Sequence, residues 1–129
     1  MADVTVKKSD EFEAGFGGGF KYVRRGLGVT SFGIQMIELP PNFDQYPEHD
    51  HAHDGQEEVY AMIDGSATLQ AGGDEYELTP GTFIRVGPEE KRKITTGESG
   101  CTLIAIGGTP GQAYEIPDFT KPQEAAAQT

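Results

Sequence analysis

A single cysteine, Cys101, excludes an internal disulfide. Its setting in Cys101-Thr102-Leu103-Ile104-Ala105-Ile106 reads as a buried strand, so the thiol is expected to pack as a small apolar group rather than to act as a nucleophile. No apolar run approaches the about 18 residues needed to span a bilayer. The segment Met1-Ala2-Asp3-Val4-Thr5-Val6-Lys7-Lys8 lacks the hydrophobic core of a secretion signal, and a cytoplasmic location is the resulting expectation. Positive charge is scarce. Ten Lys and Arg face 21 Asp and Glu, a formal net charge of -11 that would repel nucleic acid and anionic membranes and leaves a small molecule as the expected partner.

What is present is glycine and proline. Eighteen glycines and eight prolines in 129 residues are too many for a helix bundle, and the length suits one domain with one modest core. They separate β-rich runs: Lys21 to Arg25, Val29 to Leu39, Glu58 to Ile63, Ser66 to Gln70, Glu75 to Leu78, Thr82 to Val86, Arg92 to Thr95 and Thr102 to Ile106. In the second run Thr30, Phe32, Ile34 and Met36 alternate with Val29, Ser31, Gly33 and Gln35, as in a half-buried strand. Asp64-Gly65 predicts a type I′ hairpin, with further turns at Gly72-Gly73-Asp74, Thr79-Pro80-Gly81 and Gly97-Glu98-Ser99-Gly100. Roughly eight to ten short strands on this spacing describe an all-β sandwich or barrel. The glycines of Gly15-Phe16-Gly17-Gly18-Gly19-Phe20 do not make a phosphate-binding loop, because no Lys-Ser/Thr pair or long helix follows.

All three histidines lie in His49-Asp50-His51-Ala52-His53-Asp54-Gly55-Gln56-Glu57-Glu58. On an extended strand, alternate imidazoles share a face, and the next strand can bring Glu58 alongside. Two nitrogen donors and one oxygen donor with open positions suit iron(II), manganese, nickel or zinc. His49 and His53 would stand some 13 Å apart on a strand, so the metal pair is His51/His53 or His49/His51. Alternation sends Glu57 outward if Glu58 points in. The competing reading is a solvated acidic loop that holds no ion.

This segment resembles the first motif of the cupins, Gly-x5-His-x-His-x3-4-Glu-x6-Gly: His51, His53, Glu58 and Gly65 match its last four landmarks, and Gln45 stands at the leading glycine. The resemblance extends to Leu78-Thr79-Pro80-Gly81-Thr82-Phe83-Ile84-Arg85-Val86, similar to the opening of the second motif, although Thr82 replaces its Asp and Arg92 falls at its histidine. It implies a double-stranded β-helix or jelly-roll barrel with a lumen metal held by His51, His53 and Glu58. It also implies a homodimer. Arginine cannot supply the fourth ligand, since it is always protonated and has no lone pair. Either three residues hold the metal, with water or substrate completing the shell, or the metal is lost and the pocket kept.

The expected organisation is an N-terminal arm over 1–20, a barrel over 21–118 and a frayed tail over 119–129. Tyr60 should share a face with Glu58, as a hydrogen-bond donor or base, or as packing. Arg92 is read either as a lumen cation clamping a substrate anion or as part of the solvated run Glu89-Glu90-Lys91-Arg92-Lys93; Arg85 is a further candidate pocket cation. Two functions follow: a metal-dependent oxygenase, lyase or isomerase acting on a small anionic metabolite, or a metal-free binding module with Arg92 as its anion anchor.

Overall fold

The computed structural model describes residues 2–120. Its strands are β1 (Ala14–Gly15), β2 (Phe20–Lys21), β3 (Gly33–Leu39), β4 (Glu57–Ala71), β5 (Asp74–Leu78), β6 (Phe83–Val86) and β7 (Arg92–Gly108). They form one antiparallel sheet in the order β1-β2-β3-β7-β4-β5, with β6 also paired to β4. Thus β1 and half of β2, which fall in the expected N-terminal arm, extend the sheet. The tail beyond residue 120 lies outside the described residues. Among the described residues no helix is long and apolar enough to cross a membrane.

Two long strands organise the barrel. β4 pairs with β7 along most of its length, while its first part also holds β6 (Glu58 opposite Val86) and its second part holds β5 (Ala67 opposite Leu78). The predicted Asp64-Gly65 hairpin is therefore not formed. The chain runs straight through it, with register shifts between Met62 and Asp64 and between Gly65 and Ala67. Gly65 and Gly100 both take left-handed backbone there (φ 75° and 63°), and a Cβ on Gly65 would overlap the Gly100 carbonyl oxygen. The positive-φ signal was real, but it makes a bulge, which bends paired strands into a barrel wall. The turn expected at 97–100 is likewise absorbed into β7.

A second departure lies at residues 21–25, expected as a strand. There the short helix α1 (Val23–Leu27) follows β2 and ends where Gly28, at φ 80°, donates its N–H to the Arg24 and Arg25 carbonyls.

Strand alternation decides what the barrel encloses. In β3 the buried set is Gly33, Gln35, Ile37 and Leu39, so Ile34 and Met36 face outward. Ile37 and Leu39 form one core cluster with Tyr60, Met62, Leu69, Leu78, Val86, Ile94 and Leu103. Leu69, Ile94 and Leu103 are fully buried, each contributing about 1.5 to 3 kcal/mol of transfer free energy. Cys101 is a buried free thiol whose pKa burial pushes up to about 11, as a packing residue requires.

Candidate metal centre

The three histidines sit between β3 and β4 on a segment with little strand pairing. His49 and Arg92 exchange backbone hydrogen bonds (3.1 and 2.9 Å), and the His51 N–H donates to the Pro88 carbonyl at 2.7 Å. The chain then turns. Asp54 and Gly55 donate their N–H groups back to the His51 carbonyl at 3.2 and 2.7 Å, with Gly55 at φ 71°. Strand alternation consequently fails after His51. The side chain of His53 is 75% exposed, its nearest partner being Asp54, 3.4 Å from Nε2. The assignment of His53 as a ligand is corrected: the residues brought together are His49, His51 and Glu58, whose donor atoms all lie within 4.8 Å of one another.

Both imidazoles of that group are oriented through Nδ1. His49 Nδ1 lies 3.0 Å from the Pro47 carbonyl oxygen, which can only accept a hydrogen bond, so the proton sits on Nδ1 in the neutral ring. His51 Nδ1 lies 3.2 and 3.3 Å from the two carboxylate oxygens of Asp54, with the same consequence. Asp54 is held in turn by the Gln56 backbone N–H (3.1 Å) and side-chain amide (3.2 Å). Each Nε2 therefore presents a lone pair toward Glu58. His51 Nε2 is buried and makes no hydrogen bond; Glu58 Oε2 is 3.4 Å away, too poorly aligned to count as one. It is close enough to raise the His51 pKa against the opposing effect of burial. A carboxylate behind a histidine with a free inward nitrogen is the outer-shell arrangement of metal-bound imidazoles.

Glu58 is fixed from the opposite side. Its Oε1 accepts hydrogen bonds from the Tyr60 hydroxyl (2.6 Å) and the Arg92 guanidinium (2.5 Å). Burial alone would raise its pKa, but the nearby His49 and His51 imidazoles and the hydrogen bond from Tyr60 outweigh it and hold the carboxyl well below the usual carboxylate range. Oε2 is left facing His51. These residues fit a divalent ion: two neutral imidazole nitrogens and one ionised oxygen, with Oε1 already spoken for.

Arg92 departs from both readings of the sequence, whereas Tyr60 shares the face of Glu58 as expected and donates to it. Arg92 is 0% exposed. Besides Glu58, it donates from Nε to the Glu90 carbonyl (3.0 Å) and from Nη2 to the Gly87 carbonyl (2.7 Å). It is neither part of a solvated turn nor an anion clamp, and it does not line the cavity. The Tyr60 phenol is fully buried, desolvation holds its pKa well above the ordinary value, and its hydrogen bond positions Glu58. Arg85 faces outward and pairs with Glu57.

A cavity of about 1130 Å³ opens at the histidines and Glu58, walled by Phe20, Ile37, Phe43, Tyr46, Tyr114 and Phe119. Among the described residues no lysine or arginine lines it. Tyr46 was not singled out from the sequence. It packs 5.8 Å from the His49 ring, and burial pushes its phenol up to about 12. Only its place three residues before His49 could have flagged it.

The cupin domain family profile matches residues 35–107. No curated protein matches the chain. Among solved structures, a cupin protein from Bacteroides fragilis is 20% identical and superposes with a TM-score of 0.71 over 95% of this chain and 97% of its own. A cupin-superfamily sugar phosphate isomerase from Silicibacter pomeroyi is 16% identical (TM-score 0.65; 82% and 77% covered). KdgF from Halomonas is 11% identical (TM-score 0.58; 70% and 76% covered). At these identities the neighbours speak for the fold alone. With the matched residues spanning β3 to β7 and the histidines and Glu58 among them, the chain belongs to the cupin domain family.

Proposed function

We propose that this protein binds one divalent metal ion through His49, His51 and Glu58 and uses it to bind and transform a small, largely apolar molecule in the adjoining cavity. The observation that carries this reading is the buried, unbonded Nε2 of His51, held inward by Asp54 behind it. A buried nitrogen without a hydrogen bond costs about 1 to 3 kcal/mol, and an ion in front of it removes that cost. A bound divalent ion would act as a Lewis acid with open positions, the common requirement of oxygenase, lyase and isomerase chemistry. The chain's own residues supply the rest: Asp54 and the Pro47 carbonyl set the imidazole tautomers, Arg92 and Tyr60 keep Glu58 ionised and aimed, and the aromatic walls give the cavity its apolar lining. Among the described residues the lining offers an anionic metabolite no lysine or arginine. Substrates with an apolar body and one or two oxygen donors fit it better than sugar phosphates do.

The test is elemental analysis of protein purified without a histidine tag. Near-stoichiometric iron, manganese, nickel or zinc is expected, falling to background in a His49→Ala, His51→Ala double variant and unchanged in His53→Ala. Equal metal content in wild type and double variant overturns the assignment.

One observation favours a second reading, a metal-free binding module. The Arg92–Glu58 ion pair already neutralises the buried carboxylate. In that case metal-stripped protein would be stabilised in a thermal-shift assay by apolar ligands as strongly as metal-loaded protein.

A further inference from the structure

The inward row of β3 reads Gly33, Gln35, Ile37, Leu39, and Gln35 is its one polar side chain. It is 8% exposed. Its Oε1 accepts a hydrogen bond from the Val23 backbone N–H at 3.0 Å, at the start of α1. A main-chain N–H only donates, so the amide cannot be turned round, and its NH2 end is directed away from α1. That end, Nε2, donates to no described residue and retains accessible surface. Gln35 lines the same cavity as His49, His51 and Glu58, so the spare donor faces whatever the cavity holds.

Register sets this amide across the inner wall from the metal centre. Gln35 pairs with Ala105 and Ala105 with Tyr60; in the next inward row Gly33 pairs with Gly107 and Gly107 with Glu58. The middle strand thus contributes only a methyl group and a hydrogen between Gln35 and Glu58. Two strand gaps and two residues along β3 put their Cα atoms about 12 Å apart, a span that a small molecule covers once both side chains reach in. A second donor stands at Gly33, where an added Cβ would come within 2.7 Å of the Tyr114 hydroxyl. Burial pushes that phenol's pKa up, so it stays protonated, and it too donates to no described residue. The carboxylates Glu38, Asp50, Asp54 and Asp64 also line the cavity, and without a lysine or arginine among the described lining residues they disfavour a further anionic group there.

We propose that Gln35, with Tyr114 beside it, determines specificity by donating to a neutral carbonyl oxygen, of a ketone, ester or amide, at the end of the substrate remote from the metal. This rests on the metal reading above and names the class of molecule that site takes. One end carries a metal-binding oxygen group, the middle is apolar, and the other end is an uncharged carbonyl.

The experiment is calorimetric titration of zinc-loaded wild type and Gln35→Met with alkyl hydroxamic acids of graded length, whose head group chelates the metal and whose tail ends in a methyl ketone, a carboxylate or plain hydrocarbon. Wild type is expected to bind the best ketone-ended probe about 3- to 10-fold more tightly than its hydrocarbon counterpart, and more tightly than the carboxylate. Gln35→Met should lose that preference while binding the hydrocarbon-ended probe as wild type does. In nitrogen-15 NMR spectra of wild type, the ketone-ended probe should move the Gln35 side-chain amide signals further than the hydrocarbon-ended one, a readout that stands even if Gln35→Met fails to fold. Equal affinity for ketone and hydrocarbon ends, tighter binding of the carboxylate, an undiminished preference in Gln35→Met, or an indifferent Gln35 amide signal overturns the inference and leaves the metal reading in place. If no hydroxamic acid binds the zinc-loaded wild type, the metal reading falls and the inference with it.

Discussion

Glu58 is served by two regions built on different principles. On the strand side, Tyr60 and Arg92 reach it from β4 and the start of β7, and both are fully buried. On the loop side, His49 and His51 reach it from a segment tied by local turns, one backbone bridge and the Asp54 carboxylate. The strand side fixes a charge by burial. The loop side sets tautomers by hydrogen bonding and keeps its donor nitrogens open. Stability therefore belongs chiefly to the first region and metal affinity to the second.

Arg92→Met tests that division most severely. It leaves an ionised carboxylate buried without its cation, at an expected cost of about 3 to 5 kcal/mol in urea unfolding. Adding Glu58→Gln should recover part of the loss. If Arg92→Met unfolds like wild type, the strand side is not where stability resides. Tyr60→Phe removes one hydrogen bond to the same oxygen and should cost about 1.5 to 3 kcal/mol. Asp54→Asn probes the other region, because an amide turned toward His51 can donate where the carboxylate could only accept. Metal affinity measured by chelator competition should fall about 10- to 100-fold, with the unfolding midpoint close to wild type.

The smallest effect separates the regions by pH. His51 is raised, so its protonated form contributes stability to metal-free protein below its ordinary value of about 6.5, and this is lost as pH rises through the raised value. Glu58 is lowered, so its contribution is present above about 4.3 and lost only in stronger acid. Metal-free protein should thus melt slightly higher near pH 5.5 than near pH 8, while metal-loaded protein should do the reverse, because the ion needs a deprotonated imidazole. Parallel pH profiles for the two forms would remove the linkage between His51 and the ion.

The strand side was the more legible in the sequence. Glu58 and Gly65 hold the motif spacing, and alternation along β4 placed Glu58 inward and Glu57 outward as observed. The loop side was misread because its histidines were laid on an extended strand. Asp54-Gly55 is a turn signal, and once Gly55 takes positive φ and the chain folds back on the His51 carbonyl, His53 leaves the face its neighbours share. The same error in reverse occurred at Asp64-Gly65, where a turn signal sits inside a strand because Gly100 lies opposite and the long pairing with β7 wins. Arg92 could not be placed by periodicity. Its burial depends on Glu58, 34 positions earlier.

One residue touches both halves of this design: the main chain of Arg92 grips His49, while its side chain grips Glu58. An imidazole introduced at position 92 would keep the main-chain grip, leave Oε1 to Tyr60 alone and add a third nitrogen, so a four-ligand shell lies a single exchange away. The cost of that exchange is the cation that now shields the acid, which makes this position a dial between a tightly held ion and a sturdy empty barrel.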